Sequence, residues 1–148
     1  MAYKLLTYLT LISFILTGFS CESRNGKEKI ENYFIKTHNY KIGKDINKII
    51  VVAEGKICSS CELAFAEIAL EHLADSSVFL VSAKGNIVDI NSFIRLKRNC
   101  FFDWQLNITD YPEFESSRVI YLKNNEIDTV VIIESKSIRQ QLYSFINN

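Results

Sequence analysis

Three stretches of this chain predict an α/β fold in which a central mixed sheet is flanked by helices. Ile49-Ile50-Val51-Val52-Ala53 is a β-branched run without alternation, the pattern of a strand buried on both faces of a parallel sheet. Val78-Phe79-Leu80-Val81 is a second such run. Between them an Ala-rich helical pattern from Glu62 to Ala74 and the short Asp75-Ser76-Ser77 link supply a compact right-handed crossover. Val119 to Ile133 then reads as an antiparallel hairpin, which makes the sheet mixed.

The first twenty of the 148 residues stand apart from that fold. Lys4 carries the charge ahead of an apolar run, Leu5 to Phe19. The run is shorter than the roughly 20 apolar residues of a membrane span. It reads as the core of a secretory signal. Nothing amphipathic marks it as a core helix. Gly18 and Ser20 place small residues where a signal peptidase inspects the chain, and Cys21 follows directly. Cys21 resembles the lipid-acceptor cysteine of a bacterial lipoprotein signal. Ser20 fits that motif, while Gly18 and Phe19 stand where Leu and a small residue are usual. The resemblance implies a chain tethered to a membrane through a Cys21 lipid, on the periplasmic side of a bacterial cell envelope. Ordinary cleavage after Ser20 would instead leave a free exported protein.

Loss of residues 1–20 removes one charge, Lys4, from a chain with 17 basic and 17 acidic side chains. A nearly neutral protein has no electrostatic reason to bind nucleic acid or an anionic membrane surface. The remaining chain, about 128 residues, suits one domain plus a tether. The division expected is a signal over 1–20, a tether and leading element over 21–46, and the domain over 47–148.

Cys21 to Lys29 is polar and charged and reads as a flexible tether. Ile30, Phe34 and Ile35 fit one helical face, while Tyr33-Phe34-Ile35 and Tyr40 also suit a strand. A short amphipathic element followed by an irregular piece is expected there, then a turn at Gly43-Lys44-Asp45. On the helix after the cysteines, Leu63, Ala66, Leu70 and Leu73 share a face, joined by Phe65 and Ala69. Glu62, Glu67, Glu71 and His72 are expected to meet water. Gly85-Asn86 breaks the chain, and a short helix is expected over Asn91 to Arg98. Cys100-Phe101-Phe102 and Trp104 suggest an apolar edge segment, with all three aromatics expected in the core. Ile108 to Ser117 reads as a loop holding the only proline, Pro112. The Asn124-Asn125 pair tolerates the positive φ angles of a tight hairpin turn. A final helix over Ser135 to Phe145 is expected, with Ser137 and Gln140 as a capping box and Ile138, Leu142, Phe145 and Ile146 as its stripe.

The chemistry centres on Cys58-Ser59-Ser60-Cys61, between the first buried strand and the helix. An exported protein meets an oxidising compartment, and this tight pair is the natural bridge. A sulfur at a helix N-terminus lies near unpaired N–H groups that favour the reactive thiolate. Lys56 favours the thiolate as well, and Glu62 opposes it. A bridge across so short a loop removes little chain entropy, so stability is a poor reason for it. A metal would need further ligands. His72 is ruled out, since eleven helical residues place it about 16 Å from Cys61; His38 reads as a surface residue. Cys100 reads as a small buried hydrophobe, although Arg95, Lys97 and Arg98 precede it. Asp103 and Asp110 have no partner that the sequence identifies. No catalytic Ser-His-Asp order or paired-carboxylate constellation is evident, and five glycines leave little room for a nucleotide-binding loop.

The order strand, Cys-x-x-Cys, helix, strand, helix, hairpin, helix resembles the thioredoxin fold, a three-layer α/β arrangement, from about Asn47 onward. Tyr121-Leu122-Lys123-Asn124-Asn125-Glu126-Ile127 is similar to that family's closing hairpin, and the last helix to its Ser-Lys…Leu helix. The longer stretch from Ala83 to Ser117 looks like the membrane-anchored TlpA or redoxin type. The resemblance implies a thiol–disulfide oxidoreductase without a cofactor, in which Cys58 attacks and Cys61 resolves. Its partners would be protein thiols or disulfides and a membrane redox protein. Ser117 falls where the family has its substrate-docking cis-proline, and with no proline there the peptide is expected to be trans. Ile57 replaces the family's Trp, Ser59-Ser60 its Gly-Pro, and Val52 its buried acid. Those departures leave open a non-catalytic thioredoxin-like lipoprotein that serves as a binding or structural module.

Overall fold

The computed structural model describes residues 26–53, 55, 57–82, 88–95, 99–105 and 111–147. Residues 1–20, Cys21, Lys56, Gly85-Asn86, Lys97-Arg98 and Asp110 lie outside the described residues.

The first described element is helix α1 over 26–38, which begins within the stretch expected to be a tether. It ends in an αL cap: Asn39 N–H donates to the Ile35 carbonyl, and Tyr40 N–H reaches back to that of Phe34, both at 3.1 Å. Asn39 takes the left-handed φ of 50° that this closure requires. Strand β1 (Lys48–Ala53) leads to helix α2 (Ser59–His72), which returns to β2 (Ser77–Ser82). Helix α3 (Ile90–Arg95) and the short β3 (Cys100–Phe102) follow, then a 3-10 turn at Pro112–Phe114 inside the expected loop. The hairpin is β4 (Arg118–Lys123) and β5 (Glu126–Ile132), and α4 (Ile138–Asn147) closes the chain.

The five strands lie in the order β3-β2-β1-β4-β5. β1 pairs in parallel with β2, from Lys48↔Ser77 to Ala53↔Ser82, and β2 in parallel with β3. β4 runs antiparallel to both β1 and β5, so the sheet is mixed. Asn124 and Asn125 adopt φ of 52° and 64°, the positive values that a two-residue turn between twisted strands needs.

Alternate residues of the central strands serve two cores. On one face Ile49, Val51, Leu80 and Ile120 pack with Ile30, Tyr33 and Phe34 of α1 and with Phe114. On the other, Ile50, Val52, Phe79 and Val119 pack with Phe65, Ala66 and Ala69 of α2, Phe93 of α3 and Phe145 of α4. Among the described residues the result is a three-layer α/β structure, one α-helix over one face and three over the other, compatible with a thioredoxin-like fold.

Several side chains lie elsewhere than their sequence context suggests. Ile35 is exposed, and Tyr33 takes the core position beside Phe34 because the helix turns its 30/33/34 edge to the sheet. Trp104 is 63 % exposed and stacks on half-buried Phe102, since β3 ends before it at the sheet edge. His38 is half-buried among the rings of Tyr33, Phe34 and Phe101 instead of lying on the surface. Asp103 is buried, and its charge adds to burial in holding the Tyr33 hydroxyl above the ordinary tyrosine value. The expected Ser137/Gln140 box does not form, for the Ser137 hydroxyl has no hydrogen-bond partner. Gln141 acts there instead: its Oε1 accepts from Glu134 N–H at 3.2 Å and its Nε2 donates to the Ile132 carbonyl at 2.6 Å.

Candidate functional site

The central strand β1 ends at Ala53, on the side of the sheet where the strand C-terminus leads to α2, and Cys58 is the N-cap of α2 in extended conformation. Its carbonyl accepts from Cys61 N–H at 2.8 Å and from Glu62 N–H at 3.0 Å, closing the first turn. Its Sγ accepts from Cys61 N–H at 3.2 Å, so a sulfur occupies the place a Ser or Asp oxygen usually takes at a helix start. Cys58 and Cys61 are joined in a disulfide, with Cα atoms 5.1 Å apart. Cys58, Ser59 and Ser60 are exposed while Cys61 is half-buried, and Ser60 Oγ lies 3.4 Å from Cys58 Sγ. One cysteine is therefore exposed at the positive end of a helix, and its partner is half-buried one turn on. That geometry suits attack by the first thiolate and release by the second.

Glu62 overturns the expectation of a solvated carboxylate. It is 0 % exposed, and its Oε1 accepts from the Ile57 N–H at 3.2 Å. The buried stripe of α2 runs Glu62, Phe65, Ala66, Ala69 and Leu73, while Leu63 is 40 % exposed. The stripe is turned by one residue from the expected one. Apolar side chains surround this helix, so its periodicity cannot fix which edge is covered. The signal that was there to be read is the placement of Glu62 three and four residues before Phe65 and Ala66.

Ser117, proposed by resemblance as a docking position, is completely buried. Its Oγ accepts from Ala53 N–H at 2.9 Å and lies 3.4 Å from the Ala53 carbonyl, and its own carbonyl accepts from Ile133 N–H at 2.9 Å. This ties the start of β4 to the end of β1. No cis peptide bond occurs among the described residues. Beside this clamp a cavity of about 420 Å³ is lined by Ile57, Ser116, Ile132, Ile133, Glu134, Ser135 and Lys136. It places the residue before Cys58 and the residue before Ser117 on one wall system. Arg118, which sequence reasoning passed over, turns its guanidinium back onto Ser116, with Nη2 donating to Ser116 Oγ at 2.8 Å.

Val52 lies in the apolar core beneath α2, so no acid occupies that strand position. His72 is exposed near the far end of α2, beside Glu71. Cys100 is a half-buried free thiol whose pKa burial pushes up to about 12. Among the described residues no group of three or more His, Cys, Asp or Glu side chains is arranged to hold a metal ion, and no helix is long and apolar enough to cross a membrane.

A three-layer mixed α/β fold with a close Cys-x-x-Cys pair at a helix N-terminus is compatible with the thioredoxin-like class and with a redox-active site. The chain matches no family model, no curated protein sequence and no solved structure.

Proposed function

We propose that this protein is an exported, lipid-anchored thiol–disulfide oxidoreductase of the TlpA or redoxin type, acting through Cys58 and Cys61. The observation that carries this reading is the disulfide at the head of α2, with Cys58 exposed and Cys61 half-buried. In the reduced protein the Cys58 thiolate attacks a substrate disulfide, forming a mixed disulfide and releasing one substrate thiolate. Cys61 loses its proton and attacks Cys58 Sγ, which frees the second substrate thiolate and restores the Cys58–Cys61 bond. Two electrons pass from the pair to the substrate, and the reverse sequence oxidises a substrate dithiol. A reductase would be recharged by a membrane electron donor. We assign substrate docking to the cavity between Ile57 and Ser116, immediately ahead of Ser117.

Ser117 favours a second reading. Its carbonyl is already engaged by Ile133, and its side chain is fully enclosed. A domain whose docking backbone is sealed in this way suits a binding or structural module in which the disulfide is inert. Turnover of a disulfide substrate separates the two. Wild type is expected to exchange, Cys58→Ser to lose the activity, and Cys61→Ser to accumulate the mixed disulfide. If Cys58→Ser exchanges as wild type does, the oxidoreductase reading is overturned.

A further inference from the structure

Glu62 is an acid enclosed at the head of α2, and the exchange steps above leave it without a role. It follows Cys61 in the chain and is 0 % exposed. Its N–H donates to the Cys58 carbonyl at 3.0 Å. Its side chain folds back toward the N-terminal end of the helix, where Oε1 accepts from Ile57 N–H at 3.2 Å. One residue thus bonds both the Ile57 N–H and the Cys58 carbonyl, bracketing the Ile57–Cys58 peptide unit. Among the described residues, the charged groups on the adjoining cavity wall are Glu134 and Lys136, one of each sign and both exposed.

We propose that Glu62 is a positioning residue for disulfide exchange, and that its buried carboxylate biases the Cys58–Cys61 pair toward acting as a reductant. The assignment rests on the oxidoreductase reading above. A negative charge removed from water acts on its neighbours through a lower effective dielectric than an exposed one. Beside Cys58 it disfavours a second negative charge on Sγ, opposing the helix N-terminus. The disulfide carries no charge and is unaffected. The carboxylate therefore destabilises the thiolate-bearing reduced state relative to the oxidised one. A pair whose reduced state is less stable gives up its two electrons more readily to a substrate disulfide. The bond to Ile57 meanwhile holds the segment that delivers Cys58 to the helix.

Glu62→Gln separates the charge from the shape, because the amide oxygen still accepts from Ile57 N–H. Thiolate absorbance of the reduced protein, titrated with pH, is expected to show about a tenfold larger Cys58 thiolate fraction at neutral pH, one pKa unit. Equilibration with glutathione above the thiol pKa is expected to shift severalfold toward reduced protein. A residue that only supported the fold would lower unfolding stability and move neither readout. Glu62→Ala, an ordinary helix residue on the same buried stripe, is the second variant and is expected to shift both readouts the same way. An unchanged thiolate fraction and glutathione equilibrium in either folded variant overturns the proposal. Absence of disulfide exchange in wild type would instead overturn the functional reading, because both measurements here are made on the Cys58–Cys61 pair itself.

Discussion

Cys58 and Cys100 carry the same side chain into opposite surroundings. The first caps a helix and faces solvent; the second sits half-buried on β3, where desolvation pushes its thiol up to about 12. Below the ordinary thiol value of about 8.5 Cys100 is neutral in both folded and unfolded protein and has no effect on pH dependence. As pH rises beyond that value the unfolded thiol ionises first, so the folded state holds more protons and stability falls until the folded thiol also ionises. Tyr33, Tyr40 and Tyr121 are shifted in the same direction, chiefly by burial, so the comparison must be with a variant. Cys100→Ala is expected to lose less stability than wild type between about pH 8.5 and 12. Denaturant unfolding at several pH values measures the difference, and parallel profiles would show that the thiol contributes nothing.

At the scale of elements, α1 and α2 both bury an edge that their sequences leave ambiguous. In α1, Tyr33 and Phe34 are 0 % exposed and Ile35 is 45 % exposed, although all three are large and apolar. Phe34 meets the rings of Tyr33, Tyr40, Phe101 and Phe114, so its removal opens a cavity between α1 and the sheet. Phe34→Ala is expected to cost about 3–5 kcal/mol in denaturant unfolding. Ile35→Ala is expected to stay within about 0.5 kcal/mol, as an exposed substitution does. Equal losses would place both residues in the core and reverse the orientation of the helix. The hairpin shows the contrary case, in which local chemistry suffices: Asn-Asn accepts positive φ, and the turn forms where that dipeptide stands.

Across the whole molecule, α1 covers the sheet face opposite the three helices that include α2. The side of the fold nearest the N-terminal segment is thus distinct from the layer that presents Cys58. A lipid at Cys21, followed by the few residues before α1, would hold the first layer against a membrane and leave α2 to the aqueous side. Mass spectrometry of the mature protein is expected to find a diacylglyceryl group on Cys21 and an N-terminus at that residue. A free Cys21 thiol on a chain cut after Ser20 would instead make it an unanchored exported protein.

The sequence by itself determined the α/β class, the strands at Ile49–Ala53 and Val78–Val81, the hairpin and the bridged pair at Cys58 and Cys61. These depend on short-range features: β-branched runs, a positive-φ dipeptide and two cysteines one helical turn apart. Only the tertiary structure decided which edges of α1 and α2 face the sheet. α2 is apolar nearly all round and α1 carries three consecutive apolar residues, Tyr33-Phe34-Ile35, so in both the covering sheet selects the buried stripe. That choice took Glu62 out of water and put its carboxylate on the N–H of Ile57, the residue before Cys58. It likewise enclosed Ser117 between Ala53 and Ile133, contacts 64 and 16 residues away that no local pattern announces. Hydrogen bonds that join distant strands depend on the register of the sheet, and register is a property of the assembled layers.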